Sequence, residues 1–386
     1  MMTTRHWLAQ ISWTILLAAA ALMVSGWLGI ARAEQIAESS GRMLRQQIVW
    51  SILAVAILLL VSAVNYRRLS RSSYLLLVGS VSTLVVVFWF PAVNGSHRWI
   101  RLGPVGFQPS EFAKLAVVLA LARYLSYREN YRRLSGLLAP LALVMVPVVL
   151  ILREPDLGTS LVFVPVLLAM LLAAGARLPH LATVLLVAVA AAPLLWTQMS
   201  REQKSRVTAL WEDTSPGARV GDDAFHLYQS KQMIASGGLW GLALDHDRDA
   251  DPALVDNYVP AAATDSIFSI LVGRYGLIAA GVVLGLYLLI IWRGLAIAAA
   301  TYDPFGRLVA VGVVALLGIQ VVINTAMLVG LLPITGLSLP LVSYGGSGLV
   351  AQALGLGLLS SIAARPGDRL AGEPFRFVER TARRAA

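Results

Sequence analysis

Residues 266–292 read SIFSILVGRYGLIAAGVVLGLYLLIIW, with Arg274 the one charged side chain among them. A bilayer core about 30 Å thick is crossed by an α-helix of roughly 20 apolar residues, and this run exceeds that length. It is apolar throughout instead of alternating apolar with polar over roughly 10 residues, so it reads as a membrane helix and not as a strand of a porin-type barrel. Nine further apolar segments lie near 11–31, 47–65, 73–91, 112–126, 137–152, 157–175, 179–197, 306–331 and 347–364. Composition agrees: the 386 residues are 58% hydrophobic and 13% charged, about half the charge of an average soluble domain. The expected fold is an all-α polytopic membrane protein with about ten transmembrane helices, forming a single membrane domain over residues 1–386.

An even number of spans puts both termini on one side, and basic residues choose the side. With the N-terminus inside, the inner segments hold seventeen Lys and Arg, including Arg67, Arg68, Arg71, Arg123 and Arg128, while the short outer loops hold six: Arg32, Arg42, Arg45, Arg98, Arg101 and Arg153. N-in and C-in is therefore expected, with a basic cytoplasmic tail over 366–386. Arg5, the first apolar run and Ala31-Arg32-Ala33 imitate a cleaved secretory signal, but the run is longer than the h-region of such a signal and is read as a span. The formal charge of +10 is explained by these flanks, so no nucleic-acid partner is expected. The chain has no Cys, which excludes thiolate metal sites, disulfides and cysteine nucleophiles.

Between the seventh and eighth spans, residues 198–265 form one long extracytoplasmic loop that carries eleven of the 21 acidic residues. Its apolar Phe225, Leu227, Tyr228, Met233, Ile234, Leu239 and Trp240 predict that part of it folds onto the membrane domain. Asp245, Asp247, Asp249 and Asp256 imitate a calcium-loop spacing, but Ala250 stands where the turn requires Gly and Asp256 where a bidentate Glu is needed. The five histidines show no HExxH spacing, and no Walker A motif occurs.

Charges at bilayer depth are costly and mark functional positions by default. Here they gather at outer boundaries. Glu111 and Lys114 are three residues apart on one helix face, and read either as a structural ion pair or as the wall of a polar cavity with Lys114 open to an anion. Arg98, Trp99 and Arg101 suit an interfacial anchor and equally a diphosphate, which guanidinium groups bind through paired donors. Asp265 stands immediately before the eighth span. It is either the N-cap of that helix or a general base whose pKa partial burial raises toward neutrality.

Four blocks, in order, resemble the SEDS family, that of RodA and FtsW: Arg98-Trp99-Ile100 with residues 107–114 (FQPSEFAK); Glu154-Pro155-Asp156-Leu157-Gly158-Thr159-Ser160; Thr264-Asp265-Ser266-Ile267-Phe268; and residues 330–336 (GLLPITG) with 340–347 (PLVSYGGS). Residues 229–231 (QSK) with 236–241 (SGGLWG) add a weaker fifth, and the likeness is closer to RodA than to FtsW. The resemblance implies a peptidoglycan glycosyltransferase that polymerises lipid II at the outer face of the cytoplasmic membrane. Asp265 would be the catalytic base, and Arg98, Trp99, Arg101, Glu111, Lys114, Asp156 and Ser343 would bind substrate. Also implied are a divalent cation, Mg or Mn, a class B penicillin-binding transpeptidase and other elongasome or divisome membrane proteins as partners. The chain departs from the family pattern in reading Pro260-Ala261 for Pro-Glu and Gly273-Arg274 for Glu-Glu. That predicts weaker metal binding or altered tuning of Asp265, with Arg274 lowering its pKa where the side chains meet. A non-catalytic scaffold for the transpeptidase and a lipid II flippase are the competing functions.

Overall fold

The computed structural model describes residues 12–92, 96–103, 105–128, 133–211, 223–243 and 261–365. Its helices are α1 (Trp13–Ile36), α2 (Arg42–Ala63), α3 (Arg67–Val86), α4 (Pro109–Tyr127), α5 (Leu138–Arg153), α6 (Leu157–Ala174), α7 (Leu178–Gln198), α8 (Arg201–Thr208), α9 (Asp223–Gly237), α10 (Ile267–Ala300), α11 (Pro304–Leu328) and α12 (Gly346–Ala363). A single antiparallel hairpin, β1 (Ile100–Leu102) and β2 (Val105–Phe107), precedes α4. Each of the ten apolar segments coincides with one helix, and eight helices among the described residues are long and apolar enough to cross a membrane. The chain is an all-α polytopic membrane protein. α4 is not among the eight; it carries Glu111, Lys114 and Arg123, yet most of its side chains are buried by neighbouring helices.

Local chemistry sets the helix starts. α4 begins with Pro109, whose missing N–H costs nothing in the first turn, and places Glu111 near the positive helix end. Asp303 caps α11 by accepting from the Gly306 N–H at 3.1 Å, with Pro304 following it. α2 is capped from another helix: buried Glu34, on α1, accepts from the N–H groups of Met43 and Leu44 at 2.8 and 3.1 Å.

Packing relies on small residues where backbones approach, as expected in lipid. A methyl group at Gly26 would lie 2.3 Å from the Val342 carbonyl oxygen, and one at Gly357 would lie 2.9 Å from that of Leu58. These contacts bring α1 against the loop before α12, and α12 against α2.

The two ends of the bundle differ. At one, Arg365 closes the C-terminus of α2, donating to the carbonyls of Ser62 at 3.2 Å and Ala63 at 2.7 Å and to Ser361 Oγ at 2.9 Å. Tyr66 and Gly306 meet beside it, and Arg67 lies over the Tyr66 ring. At the other end stand the hairpin, the turn at 154–156, the turn at 261–266 and the loop at 335–345, with α8 and α9 close to them.

α10 is broken. Gly276 has φ 74° and ψ −174°, and the backbone of residues 238–243 fills the gap. The N–H groups of Leu242 and Ala243 donate to the carbonyls of Gly273 and Arg274 at 3.1 and 2.9 Å, and the Leu277 N–H donates to Gly238 at 3.0 Å. A methyl at Gly273 would lie 2.5 Å from Met233 Sδ and 2.9 Å from the Met233 carbonyl oxygen, so the carboxylate that the resemblance leads one to expect here is incompatible with α9 packed so closely. Leu227 and Met233 are buried as the sequence predicts, whereas Leu239 and Trp240 are exposed. The calcium-like spacing, His6, His246 and the tail at 366–386 lie outside the described residues.

Candidate active site

Asp265 lies in the turn before α10, and the N-cap position belongs to Ser266. The carboxylate is therefore not occupied in capping. Two segments, α11 and the loop at 335–345, hold the backbone of this turn. Asn324, fully buried on α11, donates through Nδ2 to the carbonyls of Asp265 at 2.8 Å and Leu337 at 2.6 Å. The Tyr344 N–H donates to the Ala263 carbonyl at 2.8 Å, and Ser343 Oγ donates to the Thr264 carbonyl while accepting from the Leu339 N–H at 2.8 Å.

A cavity of about 370 Å³ opens over this turn, lined by Asp265 together with Arg98, Trp99, Glu111, Asp156 and Ser343. Six of the eight residues singled out from sequence thus line one cavity. The other two do not reach it. Arg101 is on the exposed side of the hairpin, opposite Gly106 in register. Lys114 is buried and bonded to Glu111 Oε1 at 2.8 Å, so the pair is the structural one, with Glu111 facing the cavity and Lys114 outside its lining.

Within the cavity the roles differ from first expectation. Ser343 fastens two loops and has its hydroxyl engaged by both. Asp156 is the N-cap of α6, accepting from Thr159 N and Oγ1 at 3.1 and 2.9 Å. Arg98 donates through Nε to the Glu154 carbonyl at 3.0 Å and through Nη2 to that of Pro155, which fixes the guanidinium against the 154–156 turn. Three of its five N–H donors remain for a ligand.

The electrostatics centre on two carboxyls. Burial pushes Asp265 up to about 6, with Arg206 the strongest charge acting against that rise. Burial, reinforced by the charge of Asp156, pushes Glu154 up to about 8. Arg274 is not among the charges acting on Asp265; the cations that do are Arg206 from α8, in the long loop, and, more weakly, Arg98. Sequence reasoning missed Arg206, Asn324 and His226, whose Nε2 lies 2.5 Å from Ser266 Oγ. The missed signal was Arg206 four residues after the acidic Glu202 in a short polar helix, which by itself resembles any solvated segment.

The arrangement is a buried carboxyl with a raised pKa and a guanidinium fixed against the 154–156 turn, both lining one polar hollow. The chain matches the family model for FtsW, RodA and SpoVE cell cycle proteins over residues 6–366. The chain belongs to this family. Among FtsW/RodA/SpoVE relatives, it is 37% identical over 281 residues to peptidoglycan glycosyltransferase MrdB of Escherichia coli, covering 72% of this chain and 74% of that one. Stage V sporulation protein E of Bacillus subtilis is 34% identical over 330 residues, covering 83% and 86%. Among solved structures, rod shape determining protein RodA of Thermus thermophilus superposes with a TM-score of 0.66 at 29% identity, covering 92% of this chain and 96% of that one. A chain from a peptidoglycan synthase complex gives 0.77 at 30% identity, covering 92% and 97%.

Proposed function

We propose that this FtsW/RodA/SpoVE protein is a peptidoglycan glycosyltransferase that polymerises lipid II at the outer face of the cytoplasmic membrane. The observation that carries the reading is Asp265 lining the same cavity as Arg98, with its carboxylate unused by the helix it precedes. Asp265 takes the proton from the C4 hydroxyl of the acceptor N-acetylglucosamine. The acceptor oxygen then bonds to C1 of the donor N-acetylmuramic acid, and the C1–O bond to the diphosphate breaks with its electron pair leaving on the phosphate. Arg98, held by the 154–156 turn, receives the charge that develops there. An apolar groove of about 470 Å³, lined by Phe107, Phe112, Leu115 and Leu358 among others, begins one residue from Gln108 and Glu111 of the cavity and suits a polyprenyl tail.

Among the described residues no group of three or more His, Asp or Glu is gathered to hold a metal. The described residues do not offer a preformed Mg or Mn site, and no step above passes through one; a divalent cation is proposed to enter on the substrate's diphosphate. Sidedness follows from the basic residues: the Arg67 and Arg365 end is inside, and the cavity opens outside. As partner we propose a class B penicillin-binding transpeptidase, supported by likeness to a chain of a peptidoglycan synthase complex and by the exposed Leu277, Val282, Leu288 and Trp292 on α10.

The test is incubation of the purified protein, alone and with a candidate transpeptidase, with labelled lipid II. Wild type should yield glycan polymer and Asp265→Asn none. Polymer from both would remove the catalytic role of Asp265. Absence of polymer from wild type under both conditions, with the complex still forming, would favour the scaffold.

A further inference from the structure

Arg206 belongs to no membrane helix, yet it stands at the base. α8 is fixed at its start by a capping box, in which Gln203 N–H donates to Ser200 Oγ at 3.2 Å and Ser200 N–H donates to Gln203 Oε1 at 2.9 Å. From that helix the Arg206 side chain runs inward. Its Nε lies 3.9 Å from Asp223 Oδ1 on α9, and Asp223 Oδ2 is itself held by Ser205 Oγ at 2.8 Å. Asp223 thus steadies the inner part of the guanidinium and leaves the tip. That tip, Nη1, is buried and has no hydrogen-bond partner. An unmatched buried guanidinium nitrogen is costly, and a position built to keep one is a position built to receive an oxygen.

The place it faces is defined by Gly336, a cavity residue with φ +69°. A methyl group at Gly336 would lie 3.4 Å from Asp265 Oδ2 and 3.9 Å from Arg206 Nη1. The two charged groups therefore come close to one point above a residue with no side chain, and Nη1 does not bond to the carboxylate. A hydroxyl seated at that point of the cavity would find an acceptor in Asp265 Oδ2 and a donor in Arg206 Nη1, which lies just behind the lining: its hydrogen goes to the carboxylate and its lone pair to the guanidinium.

We propose that Arg206 is a further catalytic residue, donating from Nη1 to the acceptor sugar's hydroxyl oxygen while Asp265 Oδ2 accepts that hydroxyl's hydrogen. The proposal rests on the polymerase reading above. As the O–H bond breaks and the proton passes to Asp265, charge develops on the oxygen that forms the new C–O bond, and the guanidinium stabilises it. The electron pair of the broken C–O bond leaves on the diphosphate, at the Arg98 side. A second effect follows from the same placement, since Arg206 favours the ionised form of Asp265 against burial. The other charged groups near this pair are Asp223 and His226 on α9, Asp156 at the start of α6 and Arg98 before the hairpin. His226 is kept neutral, pushed down to about 4 by burial and then by Arg206, so it does not compete as a cation.

The experiment uses the full chain in detergent with labelled lipid II, comparing wild type, Arg206→Gln, Arg206→Lys and Asp265→Asn across pH. Wild-type polymer that depends on Asp265 establishes the parent reading independently; without it, that reading fails first. Given it, Arg206→Gln should lose about 100-fold in kcat with KM little changed. The acid limb of its residual activity should rise by roughly one pH unit, because removing the cation makes Asp265 harder to ionise. Arg206→Lys keeps the charge, so its acid limb should stay with wild type while kcat still falls. Wild-type kcat in Arg206→Gln, or a lower kcat with an unmoved acid limb, overturns the proposal. Should Arg206→Gln not be recovered folded, Arg206→Lys decides: a fall in kcat per folded molecule supports the role, and a loss only in the amount of folded protein overturns it.

Discussion

Substituting Asn324→Ala isolates what the fold contributes to the placement of the base. The side chain touches neither sugar nor phosphate in the scheme above; it bonds the carbonyls of Asp265 and Leu337, which belong to two different loops. Removing it leaves two polar groups without their donor in a fully buried position, costing about 2–4 kcal/mol. Part of that loss is local, because the Asp265 carbonyl loses its tie to α11 and only the Ser343 and Tyr344 bonds still hold the turn, and a misplacement of about 1 Å at a reacting group costs roughly 100-fold in rate. Asn324→Ala should therefore melt several degrees lower in detergent and polymerise lipid II with a much reduced kcat and a nearly unchanged KM. Asn324→Asp should be worse, since it points carboxylate oxygens at two carbonyl oxygens. The assay is polymer formation against substrate concentration, beside a melting curve on the same preparation. An Asn324→Ala protein with wild-type melting and wild-type kcat would refute the claim that this amide positions Asp265.

Glu111→Gln leaves the Lys114 ammonium buried without a counter-charge and should destabilise by about 3–5 kcal/mol, while Glu111→Gln with Lys114→Met should regain most of the melting temperature. The proposed mechanism needs the Asp265 carboxylate, and burial pushes its pKa up to about 6, so activity should be lost as pH falls through about 6. Stability runs the other way for Glu154. Its folded pKa of about 8 lies above the ordinary 4.5, so the fold binds a proton that the unfolded chain does not, and stability falls as pH rises through that window. Glu154→Gln should flatten this dependence, with melting temperature against pH as the check. Gly237→Ala places a methyl 2.2 Å from the Val272 carbonyl oxygen and should unseat α9 from α10, read as faster proteolysis within the loop between α7 and α10.

The ten apolar runs announced their helices because each signal is local: length and uniform hydropathy suffice where lipid is the solvent. The segments forming the cavity were legible too, since charges at outer boundaries are rare in such a chain and each needed a reason. What was not legible was the division of labour among them. Lys114 and Glu111 were open to two readings until burial joined them, and Asp156 became a cap only once the 154–156 turn was seen to enter α6. Ser343, one hydroxyl among many, became a fastener once the 335–345 loop lay against the turn at 261–266. Arg206 and Asn324 lie 59 residues from Asp265 on either side, and only the fold carries them to it. The sequence expectation for Arg274 failed for the same reason: nearness along α10 did not make it the charge that acts on the base.

The interruption at Gly276 divides the eighth crossing into a lipid-embedded rod and a short outer stub that starts immediately after Asp265. Because residues 238–243 are laced into the gap, the stub is mechanically part of the extracytoplasmic segment. A pull on that segment would therefore be felt at the turn that carries Asp265.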